Sequence, residues 1–227
     1  MKTAVCISGQ PRCWEKGYDS IYNNIIKPNN ADVFIHAWYQ QSPDELKDYL
    51  SVYKPKAELC EKDWNISLRQ NYKIIDPNHP PYRVVSLLKS RWSVNNLKLG
   101  FENENNFIYD WVVHLRSDLN IINCYDFKLL DNNFLYLSNR WESRYDSGVA
   151  CDFFAFSNSR YMNIFFNTYS HIDEEYNAGI NIGGEDLLGR QLNKYIPRNT
   201  VKFVHCDISH LFRDDMIKFR NDPRSGV

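Results

Sequence analysis

The sequence predicts a single α/β domain built on a mostly parallel central sheet flanked by helices. Three observations lead there. Short apolar runs alternate with segments of helical period through the first 120 residues, which is the pattern of βαβ units. Polar clusters containing glycine or arginine close several of those runs, as expected where strands end at a ligand-binding edge. The chain has 227 residues with a 43% hydrophobic share, enough for one full core. No internal repeat, low-complexity tract or linker divides it.

Taken in order, Lys2–Ser8 is a short apolar run that closes in Gly9-Gln10-Pro11-Arg12, a buried first strand and a turn. Trp14–Ile26 follows with Tyr18, Ile21, Tyr22 and Ile25 on one helical face, and Pro28 is expected to stop that helix. Ala31–Trp38 is a second buried strand. Pro43-Asp44-Glu45 opens an acidic helix start running to about Tyr53, because acids suit the positive end of a helix. Lys56–Leu59 reads as a third strand, and the proline-rich stretch from Glu61 to Tyr82 as loop. A long helix spans about Val84 to Asn103, with Val85, Leu88, Trp92, Leu97 and Phe101 facing the core. Trp111–Leu115 is a strand ending in Arg116-Ser117-Asp118. Beyond it, Phe134–Leu137 and Asp152–Phe156 read as strands and Ser159–Tyr169 as a helix. Gly183-Gly184-Glu185-Asp186 is a turn into a helix from Leu187 to Tyr195, Val201–His205 is a last strand, and the tail to Val227 is irregular.

Composition excludes several classes. With 27 basic and 28 acidic side chains the net charge is −1, so there is no basic footprint for a long nucleic acid. Six scattered cysteines with no C-x-x-C pair argue against a disulfide framework or zinc ribbon. No apolar run approaches the roughly 20 residues needed to cross a bilayer, and no charged leader with a cleavage site opens the chain. A cytoplasmic protein without a transmembrane segment is expected. Aromatics make up 15% of the chain. Most belong to the core and strands, and some suit a site that stacks bases or sugar rings.

Three polar clusters fall at predicted strand ends: Ser8-Gly9-Gln10-Pro11-Arg12, His36-Ala37-Trp38 and Arg116-Ser117-Asp118. Glycine lets backbone amides approach an anion, and arginine can hold a phosphate bidentately. Together they outline a nucleotide-binding edge. It is neither a dinucleotide nor a P-loop site, since G-x-G-x-x-G after the first strand and G-x-x-x-x-G-K-[ST] are both missing. Lys89 on the long helix could face a diphosphate, while Trp92 one turn on reads as core. Asp152 sits in an otherwise apolar run, so it must bond a partner, either a turn or a sugar hydroxyl.

The blocks Ile7-Ser8-Gly9-Gln10-Pro11-Arg12, Ser20-Ile21 and Asp32-Val33-Phe34-Ile35-His36-Ala37-Trp38 resemble a group of glycan-building glycosyltransferases from surface- and capsular-polysaccharide clusters and some large viruses. The helix Ser86–Glu102 followed by Tyr109–Leu119, with its strand leading into Arg116-x-Asp118, is similar to the same group's central segment. The likeness covers roughly residues 4–38 and 84–190.

The resemblance implies a GT-A-like (Rossmann-like) fold, with a nucleotide-binding half over about residues 1–120 and an acceptor-binding half over about 121–227. It also implies transfer of a sugar, expected from UDP, to a hydroxyl of a glycan acceptor. Where that fold usually carries D-x-D for a divalent metal, this chain has Arg116-Ser117-Asp118. Either a metal or an arginine can supply positive charge to two phosphates. Asp118 could still bind Mn²⁺ or Mg²⁺, or serve as a helix cap. His205 matches a late metal ligand by its place in the chain, with His210 as its rival; a zinc site of His205, Cys206 and His210 fits no common spacing. Glu185 and Asp186 resemble the acidic motif beneath the acceptor. Asp186 is the expected general base for inversion and Glu185 its alternative, although both also suit a plain helix start. In the similar proteins an acid in the Asp152 block lies near the donor sugar. The donor set is thus Ser8, Gly9, Gln10, Arg12, His36, Trp38, Lys89, Arg116, Asp118 and Asp152. A nucleotide-sugar hydrolase or pyrophosphorylase-like enzyme would use the same diphosphate site with more metal-binding acids. A non-catalytic sugar- or nucleotide-binding module would not need Glu185 and Asp186.

Overall fold

The computed structural model describes residues 1–62, 66, 68–75 and 80–204. Seven strands form one sheet: β1 (Thr3–Gly9), β2 (Asp32–Tyr39), β3 (Ala57–Lys62), β4 (Trp111–Leu115), β5 (Leu135–Ser138), β6 (Phe154–Ser157) and β7 (Val201–Val204). Their order across the sheet is β3-β2-β1-β4-β6-β5-β7. β1 pairs in parallel with β2 and β4, β2 with β3, and β5 with β7. β6 runs antiparallel to both β4 and β5. This is the single α/β domain expected from the sequence, a mostly parallel sheet flanked by helices.

Both faces of the sheet are covered, which is why its central strands read as continuous apolar runs. The main helices are α1 (Trp14–Ile21), α2 (Lys47–Tyr53), α3 (Pro81–Glu104), α4 (Ser159–Phe166), α5 (Ile172–Asn177) and α6 (Gly184–Tyr195). Val5, Ile7, Val33, Ile35, Val113 and Leu115 pack with Ile21 and Ile25 below α1 and with Tyr49 and Tyr53 of α2. On the other face Ala4, Cys6, Phe34 and Val112 pack with Val94 of α3, Phe165 of α4 and Leu188 of α6.

Several elements differ from the sequence expectation. Pro28 does not stop the first helix: the chain widens into a π turn at Tyr22–Ile26 and continues through Lys27–Asn29. A proline there supplies no N–H to the helical ladder, and the Asn24 carbonyl one turn back accepts instead from Tyr125 N at 2.9 Å. β3 runs on to Lys62, so Glu61 lies in a strand rather than a loop. Asp152 precedes β6 instead of lying within it. The helix expected over Ser159–Tyr169 ends at Phe166, continues as a 3₁₀ turn over Asn167–His171 and gives way to α5. α6 begins at Gly184, placing Glu185 and Asp186 in its first turn.

α3 also departs from its expected face. Trp92, Leu97 and Phe101 are half-buried, while the most buried stripe is polar: Arg91, Asn95, Lys98 and Glu102. The helix is enclosed between the sheet and α4 and α6, so polar groups on it must find partners in the protein. Lys98 Nζ bonds Glu102 at 3.0 Å, Ser159 Oγ at 2.6 Å and Asn163 Oδ1 at 3.0 Å.

Two glycines shape the edge where the parallel strands end. Gly9 closes β1 at φ +116°, a conformation that side chains oppose. Gly17 lets α1 lie directly on the loop after β4; a Cβ there would meet the Ser117 carbonyl oxygen at 2.4 Å and that of Leu119 at 2.9 Å. Gly17→Ala should therefore lower stability by about 1–3 kcal/mol through overpacking, measured by chemical denaturation. An unchanged midpoint would show that α1 can move off the loop freely.

Candidate active site

Parallel β1, β2 and β4 end at one edge of the sheet, as does β5, and antiparallel β6 begins there. The first turn of α6 reaches the same edge: the Glu185 carbonyl accepts from Ala150 N at 3.0 Å, close before β6. Most of the sequence-nominated residues meet here.

At the β4 end the Arg116 guanidinium spans Asp118, with Nε to Oδ1 at 3.1 Å and Nη2 to Oδ2 at 2.5 Å. The Asp118 side chain is 4% exposed and that of Arg116 36%. The Tyr49 hydroxyl pairs with Ser117 beside them. Asp152 is 3% exposed, and its Oδ2 lies 4.0 Å from Arg91 Nη1, an ion-pair distance too long for a hydrogen bond. Asp152 Oδ1 and all three Arg91 guanidinium nitrogens have no hydrogen-bond partner among the described residues. His114 donates from Nε2 to the Asp152 carbonyl at 3.0 Å. Burial first, and Arg91 next, hold its pKa down at about 3, so the ring is neutral.

Glu185 accepts from Trp141 Nε1 at 2.6 Å. Burial chiefly, with the Asp152 charge adding, pushes its carboxyl up to about 7. That is the range in which a carboxylate can take and release protons at neutral pH. Asp186 is half-buried on the same turn, its carboxylate folded back toward Gly183.

The β2 cluster is satisfied internally. His36 Nε2 donates to Glu61 at 2.9 Å, and Ser90 Oγ lies 2.7 Å from Nδ1. Lys89 Nζ bonds the other Glu61 oxygen at 2.8 Å and lies 5.2 Å from the Trp38 ring centre. Trp38, 4% exposed, meets His36 edge-on at 4.7 Å. The His36 ring stays neutral because burial lowers its pKa despite Glu61. Glu61 is held down at about 2, first by the His36 hydrogen bond and then by Lys89 against the cost of burial. Ser8 is buried opposite His36 in the β1–β2 register. Gly9, Gln10 and Arg12 follow at the strand end, Arg12 exposed.

His205, with Cys206 and His210, lies outside the described residues. Among the described ones no group of three His, Cys, Asp or Glu side chains could hold a metal, and both Asp118 oxygens are engaged by Arg116. The described residues alone therefore do not make up a divalent-cation site. No helix among the described residues is long and apolar enough to cross a membrane.

Sequence reasoning missed Glu61, Arg91, His114, Arg140, Trp141 and Phe153. Arg91 left a trace, because a charged residue one turn from Leu88 on a core-facing stripe must serve something. The others left none, since each joins the edge only through tertiary packing.

No protein-family model matches the chain, and no curated sequence matches it. Among solved structures it is similar to the glycosyltransferase GlyE of Streptococcus pneumoniae TIGR4. That likeness has 12% identity over 90% of this chain and 46% of that one, with a TM-score of 0.44; for the apo form of GlyE the corresponding values are 12%, 90%, 45% and 0.48. It is also similar to a glycosyltransferase involved in glycosylation of the major capsid of PBCV-1, at 10% identity over 90% of this chain and 82% of that one, with a TM-score of 0.41. All three structures are of glycosyltransferases. The chain spans about half the length of GlyE. With scores this low, the reading of the site rests on its own geometry.

The β2 cluster yields a test. Glu61 ionises more readily folded than unfolded, so its charge stabilises above its ordinary value of 4.5, and that contribution is lost as pH falls toward about 2. Glu61→Gln should cost about 1 kcal/mol at neutral pH, with the gap to the unsubstituted protein closing in acid. Denaturation midpoints across that range measure it; a pH-independent gap would mean that shape rather than charge is at stake.

Proposed function

We propose that the chain is a glycosyltransferase that moves a sugar from a nucleoside-diphosphate donor, with UDP the expected nucleotide, to a glycan hydroxyl with inversion. One observation carries the reading: a guanidinium suited to a diphosphate, Arg116, shares a sheet edge with Glu185, a carboxyl held near pKa 7.

In this reading the nucleotide lies along the ends of β1 and β2, where Gly9 opens the turn toward Gln10 and Arg12. The His36–Glu61–Lys89 cluster braces that floor beneath it. Arg116, set by Asp118, takes the diphosphate, and a bidentate guanidinium is well matched to phosphate oxygens. The acceptor oxygen attacks the anomeric carbon as the bond from that carbon to the phosphate oxygen breaks. The electron pair of the breaking bond leaves with the nucleoside diphosphate, whose growing charge Arg116 stabilises. The acceptor proton passes to Glu185. Glu185 is favoured over Asp186 as base because it is desolvated beside Asp152 and oriented by Trp141. Asp186 is left to hold the acceptor. This reading routes no step through Mn²⁺ or Mg²⁺ at Asp118 and His205, because both Asp118 oxygens are held by Arg116.

Thermal shift with UDP, GDP and CMP tests the donor site, because a ligand that binds only the folded state raises the melting temperature. UDP should give the largest shift, Arg116→Ala should abolish it, and EDTA should leave it in place. Loss of the shift in EDTA would restore the metal reading; no shift with any nucleotide would sink the transferase reading.

Turnover of a nucleotide sugar tests the base. The rate should rise with pH through about 7 as Glu185 loses its proton, and Glu185→Gln should lower it on the order of 10²–10⁴-fold. A flat profile with an active Glu185→Gln protein would assign the proton elsewhere.

A further inference from the structure

Beyond the donor site, the same edge carries a row of arginines on aromatic rings, of which the transfer reaction uses only Arg116. Arg116 and Arg140 both lie over the Phe153 ring, their guanidinium carbons 5.0 and 4.7 Å from its centre. Arg140 and Arg144 both lie over the Trp141 ring, each at 5.2 Å. The chain folds this way because β5 ends at Ser138 and turns through Asn139–Trp141 into the short helical turn Glu142–Tyr145. That path delivers Arg140, Trp141 and Arg144 beside the first turn of α6, where Trp141 holds Glu185.

The charge of this row is unbalanced. Arg116 has a carboxylate partner in Asp118. Arg140 and Arg144 are exposed; the Arg140 charge reaches the Glu185 carboxyl, but Glu185 is itself held near neutrality by burial, so it balances little of that charge. Glu142 lies on the same turn and forms no ion pair with either. Two like charges beside one ring repel each other, and the ring faces offset only part of that. An anion between them would remove the repulsion and accept hydrogen bonds from both forks.

We infer that Arg140 and Arg144, with Trp141 between them, form a subsite for an anionic sugar residue of the acceptor, one bearing a carboxylate or a phosphate. This rests on the transferase reading, in which Glu185 takes the acceptor proton, and it names the acceptor's chemical class. The donor diphosphate is a poorer occupant, because Arg116 serves it from the β4 end while Arg140 and Arg144 belong to the β5 end and the acid-bearing helix. Nucleic acid is poorer still, since the chain as a whole carries a net charge of −1.

Calorimetric titration tests this with three probes: a hyaluronan tetrasaccharide for carboxylate, mannose 6-phosphate for phosphate, and uncharged chitotetraose. Each is run with and without excess UDP, so that binding at Arg116 is recognised by competition. At least one anionic probe should bind about tenfold or more tightly than chitotetraose, as expected of hydrogen bonds between charged groups. The identity of that probe separates carboxylate from phosphate. The preference should weaken with added salt and disappear in the Arg140→Gln/Arg144→Gln variant. Retention of the UDP-induced thermal shift in that variant shows that it is folded with its donor site intact. Equal binding of charged and uncharged probes, or a preference that survives the double substitution, overturns the subsite. If UDP gives no shift with the unsubstituted protein, the transferase reading fails. The anionic preference and its loss in the variant would still be read directly, as a sugar-binding site without a transfer role.

Discussion

β6 runs against its neighbours, bonded to β4 on one side and β5 on the other, so its first residues lie where theirs end. Asp152 and Phe153 are thereby carried to the edge that also receives Arg116, Asp118 and the turn after β5. A parallel β6 would deliver those residues to the opposite edge, and the two acidic centres would never meet. The proximity of Asp152 to Glu185, which helps raise the Glu185 pKa, follows from that reversal.

The edge concentrates ionisable groups in a poorly solvated place, where unpaired charge is costly. Asp118 is compensated by two hydrogen bonds from Arg116. Glu61 is compensated by His36 and Lys89. Arg91 and Asp152 face each other at 4.0 Å, with the Glu185 charge also acting on Arg91, and the guanidinium nitrogens and Asp152 Oδ1 have no hydrogen-bond partner among the described residues. Such incomplete satisfaction is what sites of chemistry tolerate and what cores avoid. Lys98, on the same helix at the other end of the sheet, shows the contrast: Glu102, Ser159 and Asn163 all serve its ammonium.

The two halves of the edge differ in how they are satisfied. Around β2 the polar groups close on one another, leaving Trp38 enclosed and the charge of Lys89 cancelled by Glu61. That is the character of a rigid floor. Around β5 and α6 the guanidiniums stand on ring faces and look outward, which leaves them available to a ligand. Preorganised support beneath and exposed charge above divide the work of holding a ligand in the proposed function.

The sequence by itself determined the α/β class, the positions of β1, β2 and β4, the long helix, and the strand-end clusters at Ser8–Arg12, His36–Trp38 and Arg116–Asp118. These follow from local periodicity and from glycine and arginine at strand ends, which neighbouring residues record. Tertiary structure decided the direction of β6, the inclusion of Glu61 in β3, the burial of Arg91, and the contact of Glu185 with Trp141. Two acids adjacent in sequence look alike on paper; only tertiary packing sets Glu185 beside Trp141 and Asp152 and raises its pKa. Strand direction is likewise set by which edges pair after the chain has returned from a distance, and the residues of a short apolar run look the same in either direction.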